Sequence, residues 1–447
     1  MSSEDHTIDE KEFERQRWIR RRRRSRRLVI NAILSSCLVV IFSVILITLL
    51  IQIALSSGYT ELKNNEISYG TTEQGVYERL TKPYTDFDPK EYPLKTDKCI
   101  EWSEKHMKRG RQLWDIYVTA SEKLKDLESY PISSINNITS QRYTPYRLIA
   151  HDCLRELLTF KLNNSNERKI NIFIAVHNRL TNLKHAVKSL ETAAQAAGNV
   201  HDLHIVIIES GSNECEEFSQ SEDAVIQRSY LRVPSIIGSL WGCSGLFPTS
   251  VLYNLGFLTA REAEWNLFYV ADFVVPKTFF TNNKIHDGAD AFYPYKRAVF
   301  LNKKQTQALL KIWKNVGYIP DNRIRFGHKS IKPHGGALYI RTDAFKAVGG
   351  YDPELFCGWA PEDTSMRNKL VRHLETGKDL ERRQMDLYHI YHDDSTGGGY
   401  YTAMGLWATR QMMTVDEENM NQFLQLKSFL LLLDQQYIRE LVTKESK

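Results

Sequence analysis

The residues of this 447-residue chain best suited to chemistry lie in its second half. Asp272 interrupts an otherwise apolar run, Leu267–Pro276. A carboxylate in such a setting must be paired with a charge or a metal. A divalent cation at a strand end is one reading, and a structural Asp with satisfied partners is the other. Glu362 and Asp363 follow Gly358-Trp359-Ala360-Pro361 and precede an expected helix, Thr364 to His373. Asp363 suits a helix start, so a cap is the plain reading. Beside an aromatic wall the same carboxylate could take a proton from a hydroxyl group. His389 and His392 are three apart after a Tyr-rich run. In a strand they would point to opposite faces, whereas in a turn they could converge; two core histidines are the alternative. Imidazole and carboxylate together suit Mn²⁺ or another divalent cation, with diphosphate oxygens completing the shell.

The surrounding pattern shows what must position these groups. Ile170 to Val176 is a β-branched, apolar run ending at His177-Asn178-Arg179. Apolar spacing predicts a helix over Leu180–Ala197, a buried strand at His204–Ile208, a helix over Ser250–Ala263 and a strand over Trp265–Pro276. Strand, helix, strand, helix, strand predicts an α/β domain around a mostly parallel sheet covered on both faces. Ligands of such sheets sit at the carboxyl ends of the strands. His177, Asn178, Arg179 and Asp272 fall at or near such ends. Helices are also expected over Cys99–Leu127 and Pro145–Leu162, and an amphipathic one from Thr414 to about Val442, with Thr414 and Glu417 as a capping box.

Apolar residues make up 42% of the chain and aromatics 11%, which excludes wholesale disorder, collagen-like repeats and a small disulfide scaffold. Residues 1–27 hold ten basic and six acidic side chains, nearly the whole of the net charge of +5. A nucleic-acid partner is therefore not expected, because the folded part has no basic excess. Residues 28–55 contain no charged residue, Pro or Gly, and as a helix would exceed the roughly 20 residues needed to span a bilayer. With nine arginines between Arg15 and Arg27, this reads as an uncleaved type II membrane anchor with the C-terminal part lumenal. Asn137-Ile-Thr and Asn163-Asn-Ser are sequons that agree with lumenal exposure. Beyond Cys37 lie Cys99, Cys153, Cys215, Cys243 and Cys357, an odd number that leaves one thiol free or paired between chains, as in a disulfide-linked or other homo-oligomer. The expected organisation is a cytoplasmic tail (1–27), an anchor (28–55), a stem with an N-terminal helical region (56–165) and a folded domain (166–447).

The order of motifs over residues 170–400 resembles the inverting β-1,4-galactosyltransferases and the related chondroitin-type N-acetylgalactosaminyltransferases. Val176-His177-Asn178-Arg179 stands where that family has its nucleotide-contacting Phe-Arg-Asn-Arg. Asn254-Leu255-Gly256-Phe257 matches its Asn-x-Gly-Phe helix, and Val270-Ala271-Asp272 its Asp-x-Asp. Gly335-Gly336 matches its Gly-Gly stretch, Gly358-Trp359-Ala360-Pro361-Glu362-Asp363 its Gly-Trp-Gly-Gly-Glu-Asp, and His392, with His389, its late metal histidines. The resemblance implies a GT-A nucleotide-sugar fold and a Golgi enzyme that transfers a monosaccharide from a UDP-sugar, of galactose or N-acetylhexosamine type, with inversion. The acceptor would be a glycan on a glycoprotein, proteoglycan or glycolipid. It further implies donor binding by His177, Asn178, Arg179, Asp272, Gly335 and Gly336, and metal binding by Asp272, His392 and His389. Asp363 would be the general base, with Glu362 and Trp359 on the acceptor. The departures are Val270 for the first acid of Asp-x-Asp, Ala360-Pro361 for Gly-Gly, and Pro333-His334 where the family has aromatic residues. The alternatives are a non-catalytic transferase-like subunit, a lectin-like membrane protein, and a retaining enzyme on the same fold.

Overall fold

The computed structural model describes residues 153, 158–162, 168–234, 237, 247–283, 285, 289–321, 329–331, 333–356, 361–374, 379–392, 409, 412 and 416–443. The strands are β1 (Thr159–Lys161), β2 (Ile170–Val176), β3 (Leu203–Ser210), β4 (Gln227–Val233), β5 (Trp265–Val270), β6 (Phe273–Val274), β7 (Ala291–Tyr293), β8 (Arg297–Phe300), β9 (Lys329–Ile331), β10 (Ala337–Arg341), β11 (Glu381–Arg382) and β12 (Asp386–His389). The long helices are α1 (Leu180–Ala197), α2 (Thr249–Thr259), α3 (Lys303–Val316), α4 (Glu362–His373) and α5 (Glu417–Thr443).

β2 and β3 are mostly apolar strands buried at every position, as strands covered on both faces must be, with Asn171, His204, Glu209 and Ser210 as their buried polar residues. They form the centre of a sheet ordered β1-β4-β3-β2-β5-β10-β7-β11. The pairs β4–β3, β3–β2 and β2–β5 are parallel, which bears out the expected strand–helix alternation. β10 then inserts antiparallel between β5 and β7, and β1 runs antiparallel to β4. The sheet is thus mixed, with a parallel centre.

α1 starts directly after Arg179 and stops at Gly198, whose φ of 69° supplies the left-handed cap. α2 lies almost wholly buried against the sheet. A Cβ on Gly256 would stand 2.3 Å from Ile208 Cδ1, so only glycine lets helix and strand come this close. Two residues earlier, Asn254 clamps the chain at Tyr351, accepting from its N–H (2.9 Å) and donating to its carbonyl (3.0 Å).

Several expectations are corrected. The strand expected over Trp265–Pro276 is two strands: β5 ends at Val270, the chain turns at Ala271–Asp272, and β6 enters a second sheet ordered β6-β12-β8-β9. The turn leaves the Asp272 carboxylate buried but within reach of the donors of Arg179 and Asn182, which replace water for it. The end of the helix expected over Pro145–Leu162 is instead β1, pairing Phe160 with Leu231. α3, not expected from the sequence, buries Thr306, Leu309 and Trp313 at helical spacing and is started by a capping box between Asn302 and Gln305. α5 begins after Asp416, whose Oδ1 accepts from Asn419 N–H at 2.9 Å, while Thr414 lies outside the described residues.

Cys153 is disulfide-bonded and Cys215 is a buried free thiol. Cys99, Cys243 and Cys357, the anchor 28–55, both sequons and the helix expected over Cys99–Leu127 lie outside the described residues, apart from Asn163's neighbours at 158–162. Among the described residues no helix is long and apolar enough to cross a membrane.

Candidate active site

The turn after β5 delivers Asp272 to the seam between the two sheets. There β6 pairs antiparallel with β12, placing Phe273 opposite His389, and the Ile390 N–H donates to the Asp272 carbonyl at 2.9 Å. β12 ends at His389, and Tyr391 N–H is held by Thr306 Oγ1 at 2.8 Å, so the chain has left the strand ladder before His392. Outside the strand the two imidazoles are free to lie on one side. Their ring centroids are 5.2 Å apart, and His392 Nε2 lies 3.6 Å from Asp272 Oδ2. One ligand atom from each of Asp272, His389 and His392 lies within 4.8 Å of the others.

His389 stacks on Phe300 (centroids 4.5 Å apart) and meets the edge of Phe273 at 5.5 Å. Burial between these rings pushes its pKa down to about 4, against the pull of Asp272. It is therefore neutral at pH 7, the form in which imidazole ligates. One carboxylate oxygen and two imidazole nitrogens fit Mn²⁺ and similar cations.

Asp272 is 7% exposed and well supplied with partners. Arg179 donates to Oδ2, and Asn182, on the first turn of α1, donates to Oδ1 at 2.9 Å. Arg179 thus brings the end of β2 to the acidic turn. Asn182 was not legible as a site residue; its only signal is a position three residues after Arg179, on the same helical face. His177 Nδ1 bonds the Ser210 carbonyl at 2.6 Å, tying the ends of β2 and β3 together, and its ring lies 3.3 Å from where a Gly211 Cβ would be. Asn178 has φ of 51°, and its amide meets His177 Nε2 at 3.2 Å. Glu209, at the end of β3, is fully buried and accepts from Ser212 Oγ, Cys215 N–H (3.1 Å) and Tyr230 Oη (2.5 Å). It too went unnoticed in the sequence, because its role is visible only from its three partners.

A second centre lies at the start of β10. The Gly336 carbonyl accepts from Val270 N–H at 3.1 Å, joining this segment to the strand that leads into Asp272. Gly336 has φ of 91°, and a Cβ there would strike Phe273 at 2.3 Å. A Cβ on Gly335 would come within 1.8 Å of Asp363 Oδ2, so the glycine makes room for that carboxylate. Asp363 and Glu362 form the first turn of α4, where the helix dipole favours negative charge. Thr364 N–H donates to Asp363 Oδ1 at 2.7 Å. Burial nevertheless dominates and pushes the Asp363 carboxyl up to about 6. The cap reading of Asp363 is corrected: the helix expected from Thr364 begins at Glu362, its N-cap is Pro361 with no side-chain cap bond, and Asp363 sits within the first turn with one oxygen on the Thr364 N–H and the other facing Gly335. Tyr295 donates to the Gly335 and Pro333 carbonyls, and Arg382 donates to Pro333 at 3.0 Å while lying 4.1 Å over Tyr293. His334 reaches Thr364 Oγ1 at 3.3 Å. Tyr253, buried and bonded to the Tyr269 carbonyl, feels the charges of Glu362, Asp363 and Asp272 together. Gly335 faces Asp363 while the adjacent Gly336 packs on Phe273, the residue after Asp272, so both centres border one region. Trp359 lies outside the described residues.

The Gly335–Asp363 contact yields a direct test. Gly335→Ala should leave the fold intact, because the carboxylate can swing away, but should lower turnover about 100-fold through misplacement of Asp363. Turnover and thermal unfolding measured side by side check this, and unchanged turnover would show that the Asp363 position is immaterial.

Among solved structures, the chain is similar to a mutant Drosophila β-1,4-galactosyltransferase 7 in complex with manganese, UDP-Gal and xylobiose, at 16% identity and a TM-score of 0.30, over 50% of this chain and 71% of that one. Staphylococcus aureus TarS 1–349 aligns at 12% identity and a TM-score of 0.31, over 50% of this chain and 60% of that one. A mannosyltransferase from Pyrobaculum calidifontis, in complex with GDP-Man and Mn²⁺, aligns at 7% identity and a TM-score of 0.33, over 78% and 94%. No curated protein matches the chain. Residues 322–393 match the family model described as the N-terminal domain of galactosyltransferase. Through that segment, which carries Gly335, Gly336, Glu362, Asp363, His389 and His392, the chain resembles the galactosyltransferase family.

Proposed function

We propose that this chain is a divalent-metal-dependent glycosyltransferase that moves a monosaccharide from a UDP-sugar to a glycan hydroxyl with inversion. The observation that carries this reading is the pairing of two centres. Asp272, His389 and His392 offer a carboxylate–imidazole donor set, and Asp363, a half-buried carboxylate with a raised pKa, borders the same region. Mn²⁺ held by the first three residues would neutralise charge on a departing diphosphate. Asp363 takes the proton of the acceptor hydroxyl as its oxygen bonds the anomeric carbon and the bond to UDP breaks on the opposite face. Arg179 and His177, at the end of β2, fit the anionic donor, and Glu362 and Trp359 fit the acceptor. Residues 28–55 fit a type II anchor in the Golgi membrane, with the transferase domain lumenal.

The full chain in detergent micelles, incubated with a panel of UDP-sugars and glycan acceptors, should release UDP only when Mn²⁺ is present. NMR of the product should show the anomeric configuration inverted. Absence of turnover with every donor would favour the non-catalytic subunit, for which Val270 in place of an acid speaks. Glycan binding indifferent to UDP and Mn²⁺ would favour the lectin-like protein instead.

A further inference from the structure

Four charged side chains far from any solvent lie behind the Asp363 helix. Asp352, Glu354, Lys369 and Lys427 are each at most 2% exposed. Lys369, on α4, pairs with Asp352 Oδ1 at 2.8 Å and also donates to the Gly350 carbonyl. Ser365, one turn earlier on α4, donates to Asp352 Oδ2 at 3.2 Å. Lys427, on α5, pairs with Glu354 Oε1 at 2.6 Å and lies 3.6 Å from Asp352 Oδ1. Two acids and two bases pair off here, and a third buried acid, Asp434 on α5, also acts on Lys427. Buried ion pairs are weak sources of stability, because desolvation offsets their attraction, but they tolerate only one arrangement.

That arrangement concerns the base. The Asp352–Lys369 pair closes a segment that begins beside Tyr351, which Asn254 clamps, and that contains Trp359, Glu362 and Asp363. α5 presses on the start of the same segment: a Cβ on Gly349 would stand 2.2 Å from Lys427 Cβ and 2.4 Å from its backbone carbonyl carbon. The two glycines there, Gly349 and Gly350, have φ of 71° and 67°. α5 also lies beyond the stretch that matches the galactosyltransferase model.

We propose that α5 is a working part of the active site, with Lys427 as a positioning residue that holds Asp352 and, through the contacts of Asp352 with Lys369 and Ser365, holds α4 and its Asp363 in place. The proposal rests on the transferase reading for its consequence, though not for the coupling itself. Lys427→Met should raise amide hydrogen exchange in residues 362–373 at least about tenfold, since it removes the ammonium that ties α5 to Asp352 and, through Lys369 and Ser365, to α4. It should lower kcat by about tenfold or more with Mn²⁺-dependent UDP affinity within about twofold of the parent. Lys427→Arg should recover most of both. If Lys427→Met does not fold, the charge-balanced double variant Lys427→Met/Glu354→Gln carries the test. It should regain the parent's thermal stability but not its kcat or its protection of residues 362–373.

Unchanged exchange in those residues overturns the proposal, as does a double variant that regains kcat together with stability, since the quartet would then only balance charge. A parent chain with no transfer activity defeats the transferase reading alone, because hydrogen exchange still decides whether α5 holds the helix.

Discussion

Asp363→Asn is expected to lower kcat for sugar transfer by about 10²–10⁴-fold, the range that a positioned general base supplies. Few substitutions here are so conservative in shape. The asparagine oxygen can still accept the Thr364 N–H, and the side chain still fits against Gly335. Only the capacity to take a proton is lost, so Mn²⁺-dependent UDP binding should stay within a few-fold of the parent. The parent's kcat should fall about tenfold per pH unit below about 6, the pH to which burial has raised this carboxyl.

The same shift has a consequence for stability with a definite sign. In the unfolded chain an aspartate loses its proton near pH 4, whereas folded Asp363 keeps it to about 6. Between those values the folded state binds the extra proton, so the parent loses stability as the pH rises through that window. Above it, the half-buried charge costs up to about 3 kcal/mol that the neutral asparagine does not incur. Asp363→Asn should therefore be inactive and yet as stable as the parent at pH 7, or more so. Denaturant unfolding across pH 4–8 beside a transfer assay tests both halves. An active variant would end the base assignment. A variant that is both inactive and strongly destabilised at pH 7 would show that the carboxylate serves the fold.

The parallel centre was readable because β2 and β3 need only be mostly apolar, and α1 needs only helical spacing and a terminal glycine. These are local properties. The importance of Asp272 was also readable, since a carboxylate in an apolar run demands a partner wherever it folds. Its actual partners were not, because Arg179 and Asn182 arrive from a helix some 90 residues earlier, through the parallel pairing of β2 with β5. Whether His389 and His392 converge depended on where β12 stops, and that is decided by its pairing with β6 and β8 rather than by its own residues. The closeness of Gly335 to Asp363 was equally hidden. A glycine's reason for being a glycine lies in what occupies the missing Cβ's place, and that neighbour belongs to another element.

Asp272→Ala should have the other large effect, on binding rather than on the chemical step. Asp272 gives the cluster its only oxygen, and it lies under Arg179 and Asn182 at the meeting point of β5, β6 and β12. Changing a group that merely orients a ligand typically costs 10–100-fold in metal affinity, so loss of the ligand itself should cost at least about 100-fold. The dependence of UDP affinity on Mn²⁺ should then disappear, which titration calorimetry with and without the metal would read. Asp272→Asn separates ligation from architecture. It keeps one oxygen, which can accept from Arg179, turns an NH2 toward the Asn182 amide in place of the second oxygen, and removes the negative charge that a cation requires. If Asp272 is a ligand, both variants lose the Mn²⁺ dependence; the alanine variant leaves donors of both Arg179 and Asn182 unsatisfied, about 1–3 kcal/mol for each, and the asparagine variant only that of Asn182. If its role is to anchor Arg179, the asparagine variant should retain Mn²⁺-dependent UDP binding while the alanine variant does not. The two substitutions therefore distinguish a metal centre from a structural ion pair that happens to have two histidines beside it.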